Sequence, residues 1–480
     1  MEKIKKYGKH VCWILMLSAG IYLLWSVYRF HILPMKYKLP VTVIVVAIFT
    51  FLIYAINERE NKLLNGFGCV VSLLLCVCMI FLSISVVNKA HETVEAVSNG
   101  NIKTTEISVL VKKDSKFENI KDLYRERFGI LKDIDRDNTD FMLNRLSSQF
   151  NSEISKVEYK DFKDELQGLL DGKTDAIIMN EGMRDAFNVI DGSFEKETRV
   201  LYTLDRKEIL KNLKANNITK NSFVVYISGI DTNGPISKTS RSDVNMLSIV
   251  NPEKKKLLLI FIPRDYYVAL QCPNGGCETD AMDKLTHAGL YGVETSQATI
   301  SKLFNIEINY NVRLNFDTLT TLVDALGGVD IYSDQDVKLL HGNSCNIKKG
   351  TQHVDGLCAL GFARERYAYA SGDRHRGENQ QQVIEAMLKK FTKSNVIKNY
   401  ESIMNAVQGM LQTNMTTDEI TALIQMQIAD MTSWKVSSIS VDGTGDMLST
   451  YSFGSQPLYV MHPNEDTIQK AKEVIQQVME

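Results

Sequence analysis

Charged side chains suited to two kinds of chemistry lie around a pair of predicted strands near the middle of the chain. The apolar runs Val244–Val250 and Leu257–Ile262 are separated by an Asn-Pro-Glu turn signal and three lysines, which predicts an antiparallel hairpin. In a hairpin the start of one strand lies beside the end of the next, so Arg241 and Asp243 should lie near Arg264. The sequence therefore predicts carboxylate and guanidinium groups together at one edge of a sheet.

A third strand can bring a second carboxylate to this edge. The apolar run Phe223–Ile230 is followed by Asp231, which joins the cluster if the strand ends at the same edge. Carboxylates suit Mg²⁺, a hard cation that often shares its ligand shell with substrate phosphates, and arginine forks suit phosphate oxygens. The combination indicates a site for a phosphorylated substrate.

A second group of arginines follows later in the chain. Arg364, Arg366, Arg374 and Arg376 fall within 13 residues, and Gln380 stands near the start of the next predicted helix. A Gly-Asp turn signal inside this segment would bring Arg376 towards Arg364 and Arg366. Each charge-assisted hydrogen bond to a diphosphate would contribute roughly 1.5–3 kcal/mol. The alternative interpretation is a solvated basic loop.

The elements that must position these residues begin with an apolar N-terminal region. Three uncharged runs, at about 11–28, 39–56 and 66–87, are each long enough to cross a bilayer. Lysine and arginine are more numerous in the N-terminal tail and second loop than in the first loop, which predicts a cytoplasmic N-terminus. Three crossings of the cell membrane would then place the large remainder outside. Three buried core helices, or a signal peptide for the first run, are the alternatives.

Length and charge define the rest of the organisation. At 480 residues, with a net charge of −2 and a pI of about 6.5, the chain should hold several domains and has no overall basic character for nucleic acid. We divide it into a multi-pass membrane anchor (1–90), a linker (91–104), an accessory α/β domain (105–215) and a catalytic α/β/α domain (216–480).

Cysteine usage agrees with an outer location. Four cysteines lie in the apolar runs, and the remaining four are Cys272, Cys277, Cys345 and Cys358. An even number in an oxidising space permits two disulfides. The close pair Cys272–Cys277 and the pair Cys345–Cys358 are favoured among three possible pairings, with a zinc site as the alternative.

Alternating strands and helices predict an α/β accessory domain. The strands Ile107–Val111 and Ala176–Met179 enclose helices predicted at Ile120–Arg127 and Phe162–Leu170. The stretch around the second helix weakly resembles half of a periplasmic solute-binding protein, and a spacer that binds nothing is the alternative.

The catalytic domain is predicted to be a mixed sheet covered by helices on both faces. Further strands are predicted at Ile308–Leu314 and Trp434–Val441. Helices are predicted at Glu294–Phe304, Phe316–Leu326, Asp355–Ala363, Asn379–Phe391, 416–430 and Glu465–Met479. The helix near residue 416 opens with a Thr-Thr-Asp-Glu capping box.

The motifs together resemble one family. They are Gly229-Ile-Asp231, Arg241-Ser-Asp243, Ile262-Pro-Arg264-Asp265, Lys284-Leu-Thr-His287, Arg364-x-Arg366 and Asp373-x-x-Arg376-x-x-x-Gln380. Their order and spacing resemble the LytR–CpsA–Psr family. The three apolar spans with an accessory domain resemble its capsule-associated, CpsA-like subgroup in particular.

The resemblance implies a phosphotransferase that moves a glycopolymer from a polyprenyl-pyrophosphate carrier to peptidoglycan outside the membrane. It implies that Asp231 and Asp243 hold Mg²⁺ (or Mn²⁺), and that Arg264, Asp243 and Arg241 are the catalytic residues. The residues expected to bind the diphosphate-linked substrate are Arg241, Arg264, Arg364, Arg366, Arg376, Gln380 and Lys284. A base for the acceptor hydroxyl stays open between Asp243 and Asp265.

Other interpretations of the same residues remain. Asp265 can pair with an arginine, Lys284 and His287 can be structural, and Asp373 can orient an arginine. At the level of function, a polyprenyl-pyrophosphate pyrophosphatase and a membrane sensor or scaffold for polymer export are the alternatives. A capsular or exopolysaccharide is the favoured polymer, with teichoic acid second.

Overall fold

The chain forms two compact units in the computed structural model. The described residues are 2–29, 34–57, 62–82, 102–184, 192–209, 217–230, 236, 239–339, 345–369, 372–391, 411–430 and 432–480. The first unit comprises Met1–Val97, Thr392–Gln408 and Thr416–Ser433, and the second comprises Ser98–Phe391, Gly409–Met415 and Trp434–Glu480.

Three apolar helices begin the first unit. They are α1 (Glu2–Arg29), α2 (Met35–Asn57) and α3 (Lys62–Leu82). Within the described residues, one stretch is long and apolar enough to cross a membrane: Met35–Ala55, with 21 residues and a mean hydropathy of 2.2. The apolar parts of the other two, Ile14–Tyr28 and Val70–Phe81, are shorter. One N-terminal helix is thus consistent with a membrane anchor, and the other two predicted spans stay predictions.

The second unit begins with a five-stranded sheet of order β3-β2-β4-β1-β5. Its strands are β1 (Ile102–Lys112), β2 (Arg127–Leu131), β3 (Ser155–Tyr159), β4 (Ala176–Asn180) and β5 (Thr198–Ile209). The helices are α4 (Arg136–Phe150), α5 (Phe162–Leu170) and the short α6 (Phe194–Glu197). Strand β2 runs parallel to β3 and β4, whereas β1 runs antiparallel to β4 and β5. The predicted α/β character, α5 and β4 are confirmed.

One prediction for this domain was wrong, and one helix was not predicted. The predicted helix Ile120–Arg127 is only a 3₁₀ turn at Ile120–Leu123, because Arg125 adopts a left-handed conformation (φ 68°) and the chain then enters β2. The sequence also gave no sign of α4. That helix buries only a few apolar side chains, such as Met142 and Leu146, in a polar segment, so its periodicity is weak.

A six-stranded mixed sheet of order β16-β11-β6-β7-β8-β17 is the centre of the next domain. Its strands are β6 (Phe223–Ile230), β7 (Ser242–Asn251), β8 (Lys256–Ile262), β11 (Tyr310–Leu314), β16 (Leu411–Thr413) and β17 (Lys435–Ser440). The predicted hairpin is confirmed, since β7 and β8 are antiparallel with Asn245 opposite Ile262. Strand β11 is parallel to β6, and β17 is parallel to β8. Four strands therefore end at the edge where β7 begins.

Shorter ladders surround this sheet. They pair β9 (Tyr267–Ala269) with β10 (Met282–Lys284), β12 (Val329–Ser333) with β15 (Gly350–Val354), β13 (Val337–Lys338) with β14 (Asn346–Ile347), and β18 (Gly443–Thr450) with β19 (Gly454–Pro463). The β18–β19 hairpin was not predicted from the sequence. Its exposed positions carry glycine, aspartate and serine, which mask the alternation typical of a strand.

Helices cover both faces of the six-stranded sheet, as predicted. They are α7 (Leu285–Ala288), α8 (Val293–Phe304), α9 (Phe316–Ala325), α10 (Gly356–Arg364), α11 (Asp373–Phe391) and α13 (Glu465–Met479). On one face, Ile300 of α8 and Ile475 of α13 join a core with Ile260. On the other face α11 packs so closely that a Cβ on Gly377 would lie 2.3 Å from the ring of Phe261.

The helix that carries the last predicted arginines begins earlier than expected. The sequence placed its start at Asn379, whereas α11 begins at Asp373. The turn signal ends at Gly372, whose φ of 53° suits glycine, and the ring of His375 stacks on Tyr369. Arg376 therefore lies in the first turn of a helix and not in a loop.

Two disulfides fix loops around the six-stranded sheet. They join Cys272 to Cys277 and Cys345 to Cys358, the pairs that the sequence favoured. Cys358 lies in α10, so the second disulfide ties the helix that ends at Arg364 to the chain preceding β14. Closing a loop of this size contributes about 3 kcal/mol in chain-entropy treatments.

The regions around the five-stranded and six-stranded sheets, which the sequence predicts to belong to an accessory and a catalytic domain, share a hydrophobic core. Leu131, Phe162 and Leu166 come from the five-stranded sheet and its helix α5. They pack in one cluster with Ala288, Leu290 and Tyr291, which follow β10. The hydroxyl of Tyr451 also donates to the carbonyl of Asp133 across the junction, at 2.6 Å. The end of α7 is consequently packed against the accessory domain.

One more helix belongs to the first unit. It is α12 (Thr417–Asp430), and its predicted capping box is confirmed. The amide of Thr416 donates to Oε2 of Glu419 at 2.9 Å, and the amide of Glu419 donates to Oγ1 of Thr416 at 3.3 Å. Near its other end, Tyr37 and Lys36 donate to the carbonyls of Ile428 and Ala429.

A buried glutamate in α5 gives a test of stability. Glu165 is fully buried, and neither carboxyl oxygen has a hydrogen-bond partner within the described part of the chain. Burial raises the pKa of Glu165 well above its usual range. We expect Glu165→Leu to increase the free energy of unfolding by roughly 1–3 kcal/mol, because it removes an unsatisfied polar group from the core.

The same variant should change the pH dependence of unfolding. Because the pKa of Glu165 is raised in the folded state, the free energy of unfolding is highest below the unfolded pKa of this carboxyl. It falls as pH rises through the folded pKa. Thermal unfolding of the full chain in detergent at several pH values should show this slope in the wild type and its loss in Glu165→Leu. A slope that is unchanged in the variant would contradict the assignment.

Candidate functional site

A cavity opens at the edge of the six-stranded sheet where β6, β8 and β11 end. Its volume is about 290 Å³. Its charged and amide side chains are Arg241, Asp243, Arg264, Asn315, Arg364, Arg366, Arg376 and Gln380. Its apolar side chains include Ile227, Ile230, Leu314, Leu319, Leu360 and Ile384. Along α11 the two kinds of lining side chain are separated, because Arg376 and Ile384 lie two helical turns apart with Gln380 between them. We call these two parts of the cavity its cationic end and its apolar end.

The first charged group comes from the β7–β8 hairpin. Nη1 of Arg264, just after β8, lies 2.7 Å from Oδ1 of Asp243, at the start of β7. Oγ1 of Thr286 donates to the same oxygen at 3.1 Å. Burial opposes ionisation of Asp243, but the charges of Arg264, Arg241 and Arg376 outweigh it, so its pKa lies below the usual aspartate range. Asp243 is therefore ionised at neutral pH.

Lys284 and Asp265 form a second ion pair beside the first. Nζ of Lys284 lies 2.5 Å from Oδ1 of Asp265, and Nε of Arg264 lies 3.8 Å from Oδ2 of Asp265. Neither Lys284 nor Asp265 lines the cavity. Lys284 therefore pairs with Asp265, which in turn lies near Arg264, and Lys284 is not part of the cavity lining.

Helix α7 is held by a buried network. Nδ1 of His287 lies 2.5 Å from Oδ1 of Asp283, and Oδ2 of Asp283 accepts hydrogen bonds from the amide and hydroxyl of Ser452. The ring of His287 stacks on Phe453 with the centroids 4.5 Å apart. His287 thus has a structural environment, and the network fixes the helix that presents Thr286 to Asp243.

The second arginine group is supported by aromatic rings. The guanidinium of Arg364, at the end of α10, lies 4.2 Å from the ring centroid of Phe316, and that of Arg366 lies 4.7 Å from the centroid of Tyr367. Asp355 caps the start of helix α10, because its side chain accepts a hydrogen bond from the amide of Cys358 at 2.9 Å. Stacking leaves the N–H edges of a guanidinium able to bind an anion.

Gln380 has an unsatisfied atom at this cavity. Its Oε1 is buried and makes no hydrogen bond with any described residue. Gln380 lies one helical turn after Arg376 in α11, so both side chains project from the same face. A buried polar atom that lines a cavity without a partner is an available contact for a ligand.

The predicted metal residues are only partly within the described structure. Asp231 lies outside the described residues. The side chain of Asp373, which was predicted to orient an arginine and not to bind metal, also lies outside them. Among the described residues, no group of three or more His, Cys, Asp or Glu side chains is placed to hold a metal. The ionised carboxylate of Asp243 is a suitable oxygen donor, since its described hydrogen bonds both fall on Oδ1.

Thr286 and Tyr367 are among the residues at this site that were not assigned a role from sequence. Thr286 lay inside the Lys-Leu-Thr-His motif, but a threonine near a charged cluster gives no signal of which atom it will contact. Tyr367 lay between the arginines and the turn signal. Its adjacency to Arg366 was the one available clue, because arginine often stacks on a neighbouring aromatic ring.

Comparisons with known proteins identify relatives of this chain. The sequence profile of the LytR_cpsA_psr family matches residues 190–472, which is more than half of the chain. A second profile, for a DNA polymerase processivity factor, matches residues 67–179, which is less than half and shows no family.

Individual relatives agree with the first profile. The chain is 33% identical over 229 residues to the polyisoprenyl-teichoic acid–peptidoglycan teichoic acid transferase TagU of Bacillus cereus, covering 45% of this chain and 71% of that protein. It is 30% identical to the corresponding transferase TagT of Bacillus subtilis, covering 56% and 81%. A solved structure described as TagT bound to LI-WTA is 26% identical and covers 56% of this chain and 94% of its own, with a TM-score of 0.44.

The contact between Thr286 and Asp243 can be tested directly. Thr286→Val keeps the shape of the side chain but removes the donor to a charged acceptor, so we expect a loss of roughly 1.5–3 kcal/mol in the free energy of unfolding at neutral pH. Because the pKa of Asp243 is depressed, this difference should shrink as pH falls through that pKa.

Thermal unfolding of the full chain in detergent measures both effects, with Thr286→Ser as the matched control that keeps the hydroxyl. An equal loss in the serine variant would show that the methyl group, and not the hydrogen bond to Asp243, is what matters.

Proposed function

Because this chain belongs to the LytR–CpsA–Psr family, we propose that it is a phosphotransferase that moves a glycopolymer from a polyprenyl-pyrophosphate carrier onto peptidoglycan. One observation carries the proposal: a single cavity joins a cluster of arginines to an apolar lining. A polyprenyl diphosphate has the same division, with two charged phosphates at the end of a hydrocarbon chain. The names of the relatives, which are transferases between a polyisoprenyl carrier and peptidoglycan, support it.

The cationic end suits a diphosphate and not a single carboxylate. Arg241, Arg264, Arg364, Arg366 and Arg376 all line it, whereas Asp243 is the one acidic residue among the described lining side chains. Burying a diphosphate requires compensation of several negative charges, and guanidinium groups can provide two parallel hydrogen bonds each. Gln380 adds a neutral polar contact.

The apolar end would receive the start of the polyprenyl chain. Leu314, Leu319, Leu360 and Ile384 line it, and 290 Å³ is small for a ligand site. It would hold only the isoprene units next to the diphosphate, and the remaining hydrocarbon would stay outside this cavity. An N-terminal membrane anchor keeps the domain near the bilayer that contains such carriers.

The reaction requires placement and charge neutralisation more than covalent catalysis. A hydroxyl oxygen of peptidoglycan attacks the phosphorus that bears the polymer, and the bridging P–O bond breaks. Polyprenyl phosphate leaves with the electron pair, and the proton of the attacking hydroxyl is released to solvent. Arg264 and Arg241 lie where they can neutralise the charge on the phosphates during this exchange. The depressed pKa of Asp243 makes it a weak base, so its carboxylate contributes charge and orientation.

We also propose that Asp243 holds Mg²⁺ or Mn²⁺ together with Asp231. The support is the ionised state of Asp243 and the hard oxygen donors that both residues supply. When bound, the cation would stabilise the leaving polyprenyl phosphate by neutralising its charge. Arg264 would fix the orientation of the Asp243 carboxylate towards the cation.

The polymer is proposed to be a capsular or exopolysaccharide. The three apolar N-terminal helices and the five-stranded sheet support this choice, since this organisation resembles that of the CpsA-like subgroup. Teichoic acid is the second candidate, because the named relatives are teichoic acid transferases. We propose that the anchor is multi-pass, with the N-terminus in the cytoplasm and the catalytic domain outside.

Removal of Arg264 should abolish transfer while the domain stays folded. Full-length protein in proteoliposomes would receive Mg²⁺, a polyprenyl pyrophosphate bearing an oligosaccharide, and peptidoglycan fragments. We expect Arg264→Ala to reduce formation of the polymer–peptidoglycan adduct at least about 10²-fold, as for loss of other transition-state charge contacts. Mass spectrometry separates the adduct from the free phosphorylated polymer that a pyrophosphatase would release.

Arg127→Ala is the matched control, because Arg127 is an exposed arginine paired with Asp175 in the accessory domain. It should transfer at the wild-type rate. Normal transfer by Arg264→Ala, or hydrolysis without adduct in the wild type, would overturn the proposed reaction.

The metal proposal has its own test. Chelation of divalent cations should reduce transfer by the wild type, and Mg²⁺ or Mn²⁺ should restore it. Undiminished transfer in the chelated sample would show that the arginines alone neutralise the diphosphate.

A further inference from the structure

One aromatic side chain at the cavity is unlike the other lining residues. Tyr367 has an exposed fraction of 67%, and it is the one exposed side chain among the described residues that line the cavity. The hydrocarbon end of the cavity and the arginines are buried or half-buried. Tyr367 therefore stands at the mouth, where the cavity meets solvent.

The position of Tyr367 is fixed by several contacts. The buried carboxylate of Glu365 accepts hydrogen bonds from the amides of Tyr367 (2.8 Å) and Ala368 (3.0 Å). Nη2 of Arg366 donates to the hydroxyl of Tyr367 at 2.6 Å, and its guanidinium lies 4.7 Å from the ring centroid. An exposed tyrosine needs no special explanation, but one held at its backbone, ring and hydroxyl is a rigid platform.

We propose that the ring of Tyr367 is the subsite for the first sugar of the glycopolymer, which stacks the C–H face of its pyranose ring on it. This inference rests on the proposed function. A diphosphate has two substituents, and the prenyl chain occupies the apolar end. The sugar must therefore leave the arginines towards the mouth, where Tyr367 stands next to Arg366.

The chemistry of the two surfaces is complementary. An aromatic face carries partial negative charge, and the C–H bonds of a sugar ring carry partial positive charge, so they attract each other in addition to burying apolar area. Arg366 orients the ring and also lines the diphosphate end of the cavity. Tyr367 would thus help to select carriers that bear a sugar over the free polyprenyl diphosphate.

Two probes separate this role from simple support of Arg366. One is a short polyprenyl diphosphate without sugar, and the other is the same diphosphate carrying one glucose or one N-acetylglucosamine. Calorimetry with the full-length protein in detergent and Mg²⁺ gives a dissociation constant for each. We expect the wild type to bind a sugar-bearing probe about two- to tenfold more tightly than the sugar-free probe.

Variants of Tyr367 should differ in the affinity gained from the sugar, according to whether they keep an aromatic ring. The gain is the ratio of the dissociation constants for the sugar-free and the sugar-bearing probes. Tyr367→Leu should lose this gain, whereas Tyr367→Phe should keep most of it. Tyr332→Leu is the matched control, because Tyr332 is an exposed tyrosine of the same domain (52%) that does not line the cavity. It should behave as the wild type.

Each contrary outcome has a distinct meaning. If Tyr367→Leu weakens both probes equally, Tyr367 only supports Arg366 and the sugar subsite is wrong, while the proposed function stands. If neither sugar adds affinity in the wild type, the subsite is also wrong. If the wild type binds no probe at all, the proposed diphosphate site itself fails, and the inference fails with it.

Discussion

Arg264 and Asp243 face each other at 2.7 Å where one strand of the hairpin ends and the other begins. A carboxylate placed here lowers the electrostatic cost of bringing several arginines to one cavity, because it offsets part of their repulsion. The arginines in turn keep Asp243 ionised despite its burial. One negative charge among several positive ones leaves a net attraction for anions. The cationic end of the cavity therefore depends on this pair.

The pair is itself supported from behind. Thr286 contacts Asp243 from helix α7, and the same helix ends at Ala288 in the core that is shared with the accessory domain. The hydrogen-bond network of Asp283, His287 and Ser452 fixes helix α7 between its contact with Asp243 and the shared core. The accessory domain thus contributes to the precision of the site by packing, whether or not it has a ligand of its own. Tightly packed interiors transmit such restraints over short distances.

Local patterns in the sequence were sufficient for much of this fold. The two apolar runs around a turn predicted the β7–β8 hairpin. In an antiparallel hairpin the start of the first strand lies beside the end of the second, so Asp243 and Arg264 must lie close together. Helices with a clear apolar period, such as Phe162–Leu170 and Glu465–Met479, agree with the structure at both ends. In these cases the interactions that specify the element lie within a few residues of it.

Tertiary structure alone decided which side chains support the predicted charged residues and which further ones reach the cavity. Thr286 reaches Asp243, Phe316 lies under Arg364, and Tyr367 stands at the mouth, although none of these contacts has a signature in the local sequence. The sequence by itself determined the types of residue, their order and the hairpin that joins the first of them. It did not determine the contacts between distant segments, such as α9 with α10, because these depend on how whole layers pack and not on propensity.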